Sequence, residues 1–276
     1  MTTHQGTTHV IAPDLCDTHV HVYDDRYPIA ASAVLRPPPA SVADYLEVAA
    51  KLGVRRVVVV QPTTYGLDNT CTLDAVATLG SSARAVVVVD RTMTDDELER
   101  LHRGGARGAR FHMLPGGAVD WADLPPVAER IAVFGWHVQL QMNGHDLALR
   151  VDDLAALPVD LVVDHVGRFM PPADLARNHL EPLLRLLDSG RCWVKLSAPY
   201  ESEADPSHSY PQSAAVIERL IAHAPERLVW ASNWPHPGQL DPPSAQDLIR
   251  LRDAWLCDET LRRRVLIDNP AVLYGF

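Results

Sequence analysis

Short apolar runs recur along the chain at 15–22, 56–60, 85–89, 109–113, 137–142, 161–165, 192–196 and 228–231. Most are rich in valine and leucine, and several are apolar at consecutive positions. That is the pattern of parallel strands buried on both faces. Between them, apolar residues return with helical spacing at 42–52, 68–79, 95–103, 121–134, 146–157, 173–187, 212–223, 244–256 and 259–265. Ser41 and Thr94 stand where helix caps belong, and Asp95, Asp96 and Glu97 place negative charge in a first turn. Gly53, Gly80, Gly135 and Gly190 stand where helices close. Eight strands alternating with helices predict an α/β chain folded as one (β/α)8 TIM barrel. A doubly wound open sheet fits less well, because no glycine-rich phosphate loop follows the first strand.

The first strand carries Asp17, His19 and His21 at alternate positions. Regular pleating puts these three on one face and Thr18, Val20 and Val22 on the other. Groups able to bind a cation or move a proton then converge, and buried polar clusters are costly unless they do something. In a barrel of this kind chemistry sits where strands end. The later runs bring Gln61, Thr63 and Thr64, then Asp90 and Arg91, then Arg110 and His112. His137, Gln139, Gln141 and Asn143 follow, then Asp164, His165 and Arg168. The last two runs bring Lys195, Ser197, Tyr200 and Glu201, and finally Ser232, Asn233, Trp234 and His236.

Several of these have plainer readings. His112, His137 and His145 read as satisfied polar groups near loops, and His102, His179, His208 and His223 as solvated. Lys195 can snorkel outward between helices. Trp234 packs the last strand's turn. Asp17 either orients one of the histidines or touches substrate.

Composition narrows the partners. The chain has 276 residues, 47% of them apolar, enough for a barrel core. Its 35 acids against 25 bases leave a net charge of −10, which disfavours nucleic acid and anionic membrane surfaces. Cys16, Cys71, Cys192 and Cys257 are far apart and form no CxxC, the pattern of reduced cytoplasmic thiols. Residues 1–8 lack the apolar run of a signal peptide, and no stretch reaches membrane-spanning length. The expected partner is a small molecule, and barrels of this size also associate as homo-oligomers.

Four segments occur in order at the expected strand ends. They are Asp17-Thr18-His19-Val20-His21, Gly108-Ala109-Arg110-Phe111, Val163-Asp164-His165-Val166-Gly167-Arg168 and Val229-Trp230-Ala231-Ser232-Asn233-Trp234-Pro235-His236-Pro237. Asp268-Asn269-Pro270-Ala271-Val272-Leu273-Tyr274 closes the set. Together they resemble the amidohydrolase superfamily, in the branch of 2-pyrone-4,6-dicarboxylate lactonase, galactarolactone isomerase and sugar-lactone hydrolases. The resemblance runs nearly end to end. It implies an enzyme that hydrolyses or isomerises a small carboxylated or sugar-acid lactone. It also implies His19, His21, His165, Asn233 and His236 as catalytic residues. Arg110, Arg168, Thr63, Gln141, Tyr200 and Glu201 would bind substrate.

Two departures matter. Hydrolases of this branch resemble one another in an aspartate at the end of strand eight, where this chain has Asn233. An amide cannot take a proton from water near neutral pH. The isomerase pattern also reads NWPH and is similar over 114–119, yet it lacks the first histidine of the HxH pair. Second, the pyrone-dicarboxylate pattern has extra arginines for two carboxylates, where this chain has Tyr200 and Glu201. Arg110 and Arg168 suffice for one carboxylate or a polyhydroxy acid.

A lactone needs its carbonyl polarised, a nucleophile deprotonated and a ring oxygen protonated. His19, His21 and His165 can surround the developing oxyanion, or hold zinc as three ligands with an open position. Without the strand-eight aspartate, the reading without a metal cofactor leads, as the resemblance to the lactonase and isomerase also implies. Isomerisation carries its own nucleophile, so proximity replaces a strong base. Asn233 would orient that hydroxyl while His165 or His236 shuttles the proton. Hydrolysis would need a base among His236, Asp164 and Glu201. Two other classes complete the set. One is a metal-dependent decarboxylase of the same superfamily, holding zinc or manganese. The other is a non-catalytic sugar-acid binding protein in which Asn233 marks a lost catalytic acid.

Overall fold

The computed structural model describes residues 14–170 and 179–276. Its strands are β1 (Cys16–Val20), β2 (Arg56–Val60), β3 (Ala83–Val87), β4 (Ala106–His112), β5 (His137–Gln141), β6 (Leu161–Val163), β7 (Cys192–Leu196) and β8 (Leu228–Trp230). Each pairs in parallel with the next. Helices α1 (Val42–Leu52), α2 (Thr70–Leu79), α3 (Asp95–Arg103), α4 (Leu124–Ile131), α5 (Val151–Ala155), α6 (Glu181–Asp188), α7 (Pro211–His223) and α8 (Ala245–Trp255) fill the intervals. A π turn at Arg264–Asp268 joins α9 (Glu259–Arg263) to α10 (Asn269–Tyr274). This is the expected (β/α)8 barrel. Among the described residues, no helix is long and apolar enough to cross a membrane.

The seam between β1 and β8 closes just past the strand ends. Thr18 Oγ1 donates to Trp230 O at 2.9 Å, Asn233 N–H to His19 O at 3.0 Å and His21 N–H to Trp234 O at 2.8 Å. The opposite end is plugged from within. Tyr274 of α10 is fully buried against Cys16, Val58, Val60 and Val86.

Local chemistry explains most boundaries. Ser41 with Asp44, and Thr94 with Glu97, form reciprocal capping boxes at the predicted starts of α1 and α3. β3 begins and ends two residues before its predicted span. Asn69 ends its ladder: the side-chain amide donates to Val88 O and accepts from Val88 N, both at 2.8 Å, as a neighbouring strand would. α4 starts at Leu124 rather than at 121, because Pro125 and Pro126 fit only a first helical turn. The helix expected over 146–157 divides into a 3-10 stretch, Gly144–Leu149, and α5. The helix expected over 173–187 lies partly outside the described residues; α6 is its described part.

Candidate active site

β1 carries one residue more than its partner. Asp17 pairs with Val57 and Val20 with Val59, so three steps on β1 match two on β2. The bulge separates Asp17 from the histidines expected beside it. Asp17 turns to α1, where Tyr45 Oη donates at 3.3 Å, and it also accepts from Ser232 N at 2.9 Å. Desolvation raises its carboxyl to about 6. It therefore holds the β1–β8 seam and touches neither histidine ring in a hydrogen bond. His19 and His21 turn inward, with Nε2 atoms 3.1 Å apart.

Lys195 corrects another expectation. It is fully buried inside the barrel rather than snorkelling outward. Cys192, Val194 and Leu196 join the outer core, which leaves Lys195 and Ser197 on the inner face of β7. The ammonium donates to Gln139 Oε1 at 2.6 Å and Thr18 O at 2.9 Å. It also lies 3.3 Å from His19 Nδ1 and 3.5 Å from Asp164 Oδ1. Burial pushes it down to about 8, still protonated at neutral pH. Burial alone would raise Asp164. The Lys195 ammonium leads the groups that outweigh burial and hold the carboxyl well below its ordinary range.

His165 sits on a tight turn after β6, at φ 53. Its Nδ1 meets Ser197 Oγ at 2.9 Å, which leaves Nε2 for a substrate. Asn233 and His236, after β8, also hold left-handed backbone, at φ 60 and 65. Such conformations cost non-glycine residues energy and cluster at functional sites. Asn233 Nδ2 donates to Tyr200 Oη at 2.9 Å, and that hydroxyl lies 2.9 Å from His236 Nδ1. Asn233 Oδ1 is buried without a hydrogen-bond partner.

Burial holds the imidazoles neutral. It puts His19 and His21 well below their ordinary range, with Lys195 adding to the effect on the first and Arg110 on the second. Desolvation lowers His165 as well, and takes His236 to about 4 and His112 to about 3.

Arg110 crosses the barrel interior. It donates to Gln61 O at 2.7 Å and Gln141 Oε1 at 2.8 Å, and its Nε is unpaired. Gln141 therefore anchors Arg110, and it also meets His112 Nδ1 at 3.0 Å. Thr63 lines a small cavity with Arg110 and His112. Arg168 pairs with Glu201 at 3.2 Å and with Asn143. A cleft of about 550 Å³ lies between the 35–40 loop and the 234–242 loop and meets the site at Trp234 and His236.

Other expected positions fall elsewhere. His137 opens β5 at the far end of the barrel, its ring 5.3 Å from Tyr274 and its Nε2 unpaired. Asp90 caps its own loop, and Arg91 pairs with Asp123. His208 is not solvated: it stacks on Tyr210 between Asp241 and Asp247. Sequence reasoning missed Lys195, and it named Gln61, Gln139 and Ser197 without roles. Gln139, Lys195 and Ser197 face inward from β5 and the end of β7, whereas Gln61 holds the turn after β2, donating to Gly66 O and Asp68 O and accepting from Thr72 Oγ1.

His19, Asp164 and His165 each offer a ligand atom within 4.8 Å of the others, a grouping that could hold a cation. His21, the expected third ligand, is not in it. Its Nδ1 bonds Val60 O at 2.8 Å and its Nε2 faces His19. The donor set does not suit a divalent ion as it stands. The Lys195 ammonium already lies against the same carboxylate and the same imidazole nitrogen, and a second cation would meet a fixed like charge.

The amidohydrolase family matches over residues 16–276. D-galactarolactone isomerase of Agrobacterium fabrum is 36% identical, covering 94% of this chain and 90% of that protein. 4-Sulfomuconolactone hydrolase of Hydrogenophaga intermedia is 30% identical, covering 96% and 90%. A crystal structure of an Agrobacterium tumefaciens protein without ligand superposes with a TM-score of 0.90 at 35% identity, covering 96% of this chain and 97% of that one. With its HxH strand, its DHxGR turn and its NWPHP turn meeting at one end of the barrel, the chain belongs to the amidohydrolase family.

Proposed function

We propose that the chain isomerises a sugar-acid lactone bearing one carboxylate, moving the acyl group between two hydroxyls of the same molecule. The observation that carries this reading is the commitment of the nearby carboxylates. Asp17 is bound to Tyr45 and Ser232, Asp164 to Lys195 and Gln139, and Glu201 to Arg168. Asn233 stands at the end of β8, where a base would activate water. A substrate hydroxyl held in place needs less help than water does. Similarity to D-galactarolactone isomerase supports the same choice.

Charge supports the substrate class. Lys195 faces Asp164 and Arg168 faces Glu201, while the hydrogen bonds of Arg110 go to uncharged oxygens. One substrate carboxylate balances that third cation. Asn233 Oδ1 accepts a neighbouring substrate hydroxyl and so orients the attacking one. His165 Nε2, neutral at pH 7, removes its proton as the hydroxyl oxygen bonds the carbonyl carbon. His19 Nε2–H, which donates to His21 Nε2 in the empty site, is shared with the carbonyl oxygen as that becomes an oxyanion. The old ring C–O bond then breaks, and its oxygen takes a proton from His165 or from His236, backed by Tyr200. No atom is gained or lost. No step is assigned to a metal, because the donor set is committed to Lys195. The spaced cysteines support a cytoplasmic setting.

Hydrolysis is the second reading, favoured by the free Nε2 of His165 and by similarity to 4-sulfomuconolactone hydrolase. Chelator-treated protein, mixed with aldaric, aldonic and muconic lactones, separates the two by proton NMR beside a pH indicator. A new lactone without acid is the expected result. New acid replaces isomerisation by hydrolysis. No change with any lactone overturns both.

A further inference from the structure

We infer that Lys195 is a positioning residue: a built-in cation that takes the place of a metal ion and fixes the proton between His19 and His21. The hydrogen bonds define that proton step by step. Val60 O can only accept, so His21 carries hydrogen on Nδ1. A neutral His21 then has a bare Nε2. The 3.1 Å contact between the two Nε2 atoms needs one hydrogen, which must sit on His19. A neutral His19 is therefore bare at Nδ1. The groups hydrogen-bonded there agree: Lys195 Nζ at 3.3 Å and Gln139 Nε2 at 3.5 Å are both donors. Asp164 Oδ1, 3.4 Å from the same nitrogen, is the acceptor that competes with them.

Lys195 decides between two arrangements. With the ammonium present, Asp164 is neutralised and His19 presents Nε2–H as a fixed donor. Without it, the unbalanced carboxylate draws the His19 proton to Nδ1. Two bare Nε2 atoms then face each other at close to the separation of two ligands on one tetrahedral zinc, about 3.3 Å for bonds of about 2.0–2.1 Å. The lysine thus keeps the HxH pair joined by a hydrogen bond instead of open as a metal ligand set.

The test uses the full chain with 15N-labelled histidine. In the wild type, His19, assigned by comparison with His19→Gln, should show a protonated Nε2 and a bare Nδ1. Lys195→Met should move the proton to Nδ1 and retain about one zinc per chain after dialysis, where the wild type retains none. A hydrogen on Nδ1 of wild-type His19 overturns the inference, and so does a Lys195→Met protein with an unchanged spectrum. If Lys195→Met does not fold, the wild-type spectrum decides alone. The kinetic arm rests on the proposed acyl transfer. Lys195→Met should lose ~10²–10³-fold in kcat with KM nearly unchanged, and unchanged kcat overturns the positioning role. Failure to find a lactone substrate would sink the proposed function while leaving the spectral and zinc results to stand by themselves.

Discussion

The Asn233 amide donates to the Tyr200 hydroxyl at 2.9 Å, while its carbonyl oxygen stays buried and unpartnered. That oxygen can accept a hydroxyl but cannot take up its proton. Asn233→Asp supplies the missing base. The ratio of hydrolysis to isomerisation should rise at least ~10-fold, measured by 18O incorporation from labelled water. An unchanged ratio would mean that this position does not set the outcome.

Of the site cations Arg110, Arg168 and Lys195, Arg110 is the one that faces no carboxylate within ion-pair distance among the described residues, and that is the basis for assigning it the substrate carboxylate. Arg110→Met should lower kcat/KM by ~10–100-fold for an anionic lactone, the worth of a charge-assisted contact. A neutral lactone of the same ring size should lose far less. Equal losses on both would place Arg110 in a structural role.

Stability should fall with acid between about pH 6.5 and 4. His112 and His236 are depressed to about 3 and 4 by burial, and His19, His21 and His165 are depressed too. The unfolded chain binds protons near pH 6.5 and the folded one does not. The stabilisation is whole above the unfolded value and is lost as pH drops through this window. Asp17, raised to about 6, works in the opposite direction and offsets part of the loss. Thermal midpoints across this range check the sign. A midpoint that rises on acidification contradicts it.

Gly108 makes room for a histidine. A Cβ there would lie 2.4 Å from His137 Nε2. Gly108→Ala should cost ~1–3 kcal/mol through overpacking. His137→Ala in the same chain should recover part of that, as seen in chemical denaturation of the single and double variants. Additive losses would show that the clash is relieved elsewhere.

The alternation of strands and helices was legible, because valine-rich runs of strand length leave few alternatives. So was the meeting of His19, His21, His165 and Asn233 at one end of the barrel, since each follows or ends a run. Phase was not legible. In β7 both faces are buried, so Val194, Lys195 and Leu196 carry no mark of inside and outside. Lys195 could be placed only by the partners awaiting it on β1 and β5. The bulge in β1 left no mark either. Strict alternation put Asp17 with the histidines, and one extra residue in the ladder separated them. His137 shows the converse: a correct strand and inner face, but the wrong end.

The backbone hydrogen bonds that join the first strand to the turn after β8 belong to His19, His21, Asn233 and Trp234. Two of these four, His19 and Asn233, also act in the proposed reaction, and His21 holds the first of them. The protein therefore has no separate hinge between architecture and chemistry at this line. An excursion that parts the first strand from the last scatters the reacting groups in the same event. Heat inactivation should run in step with loss of the barrel, and amide exchange at His21 and Asn233 should report both.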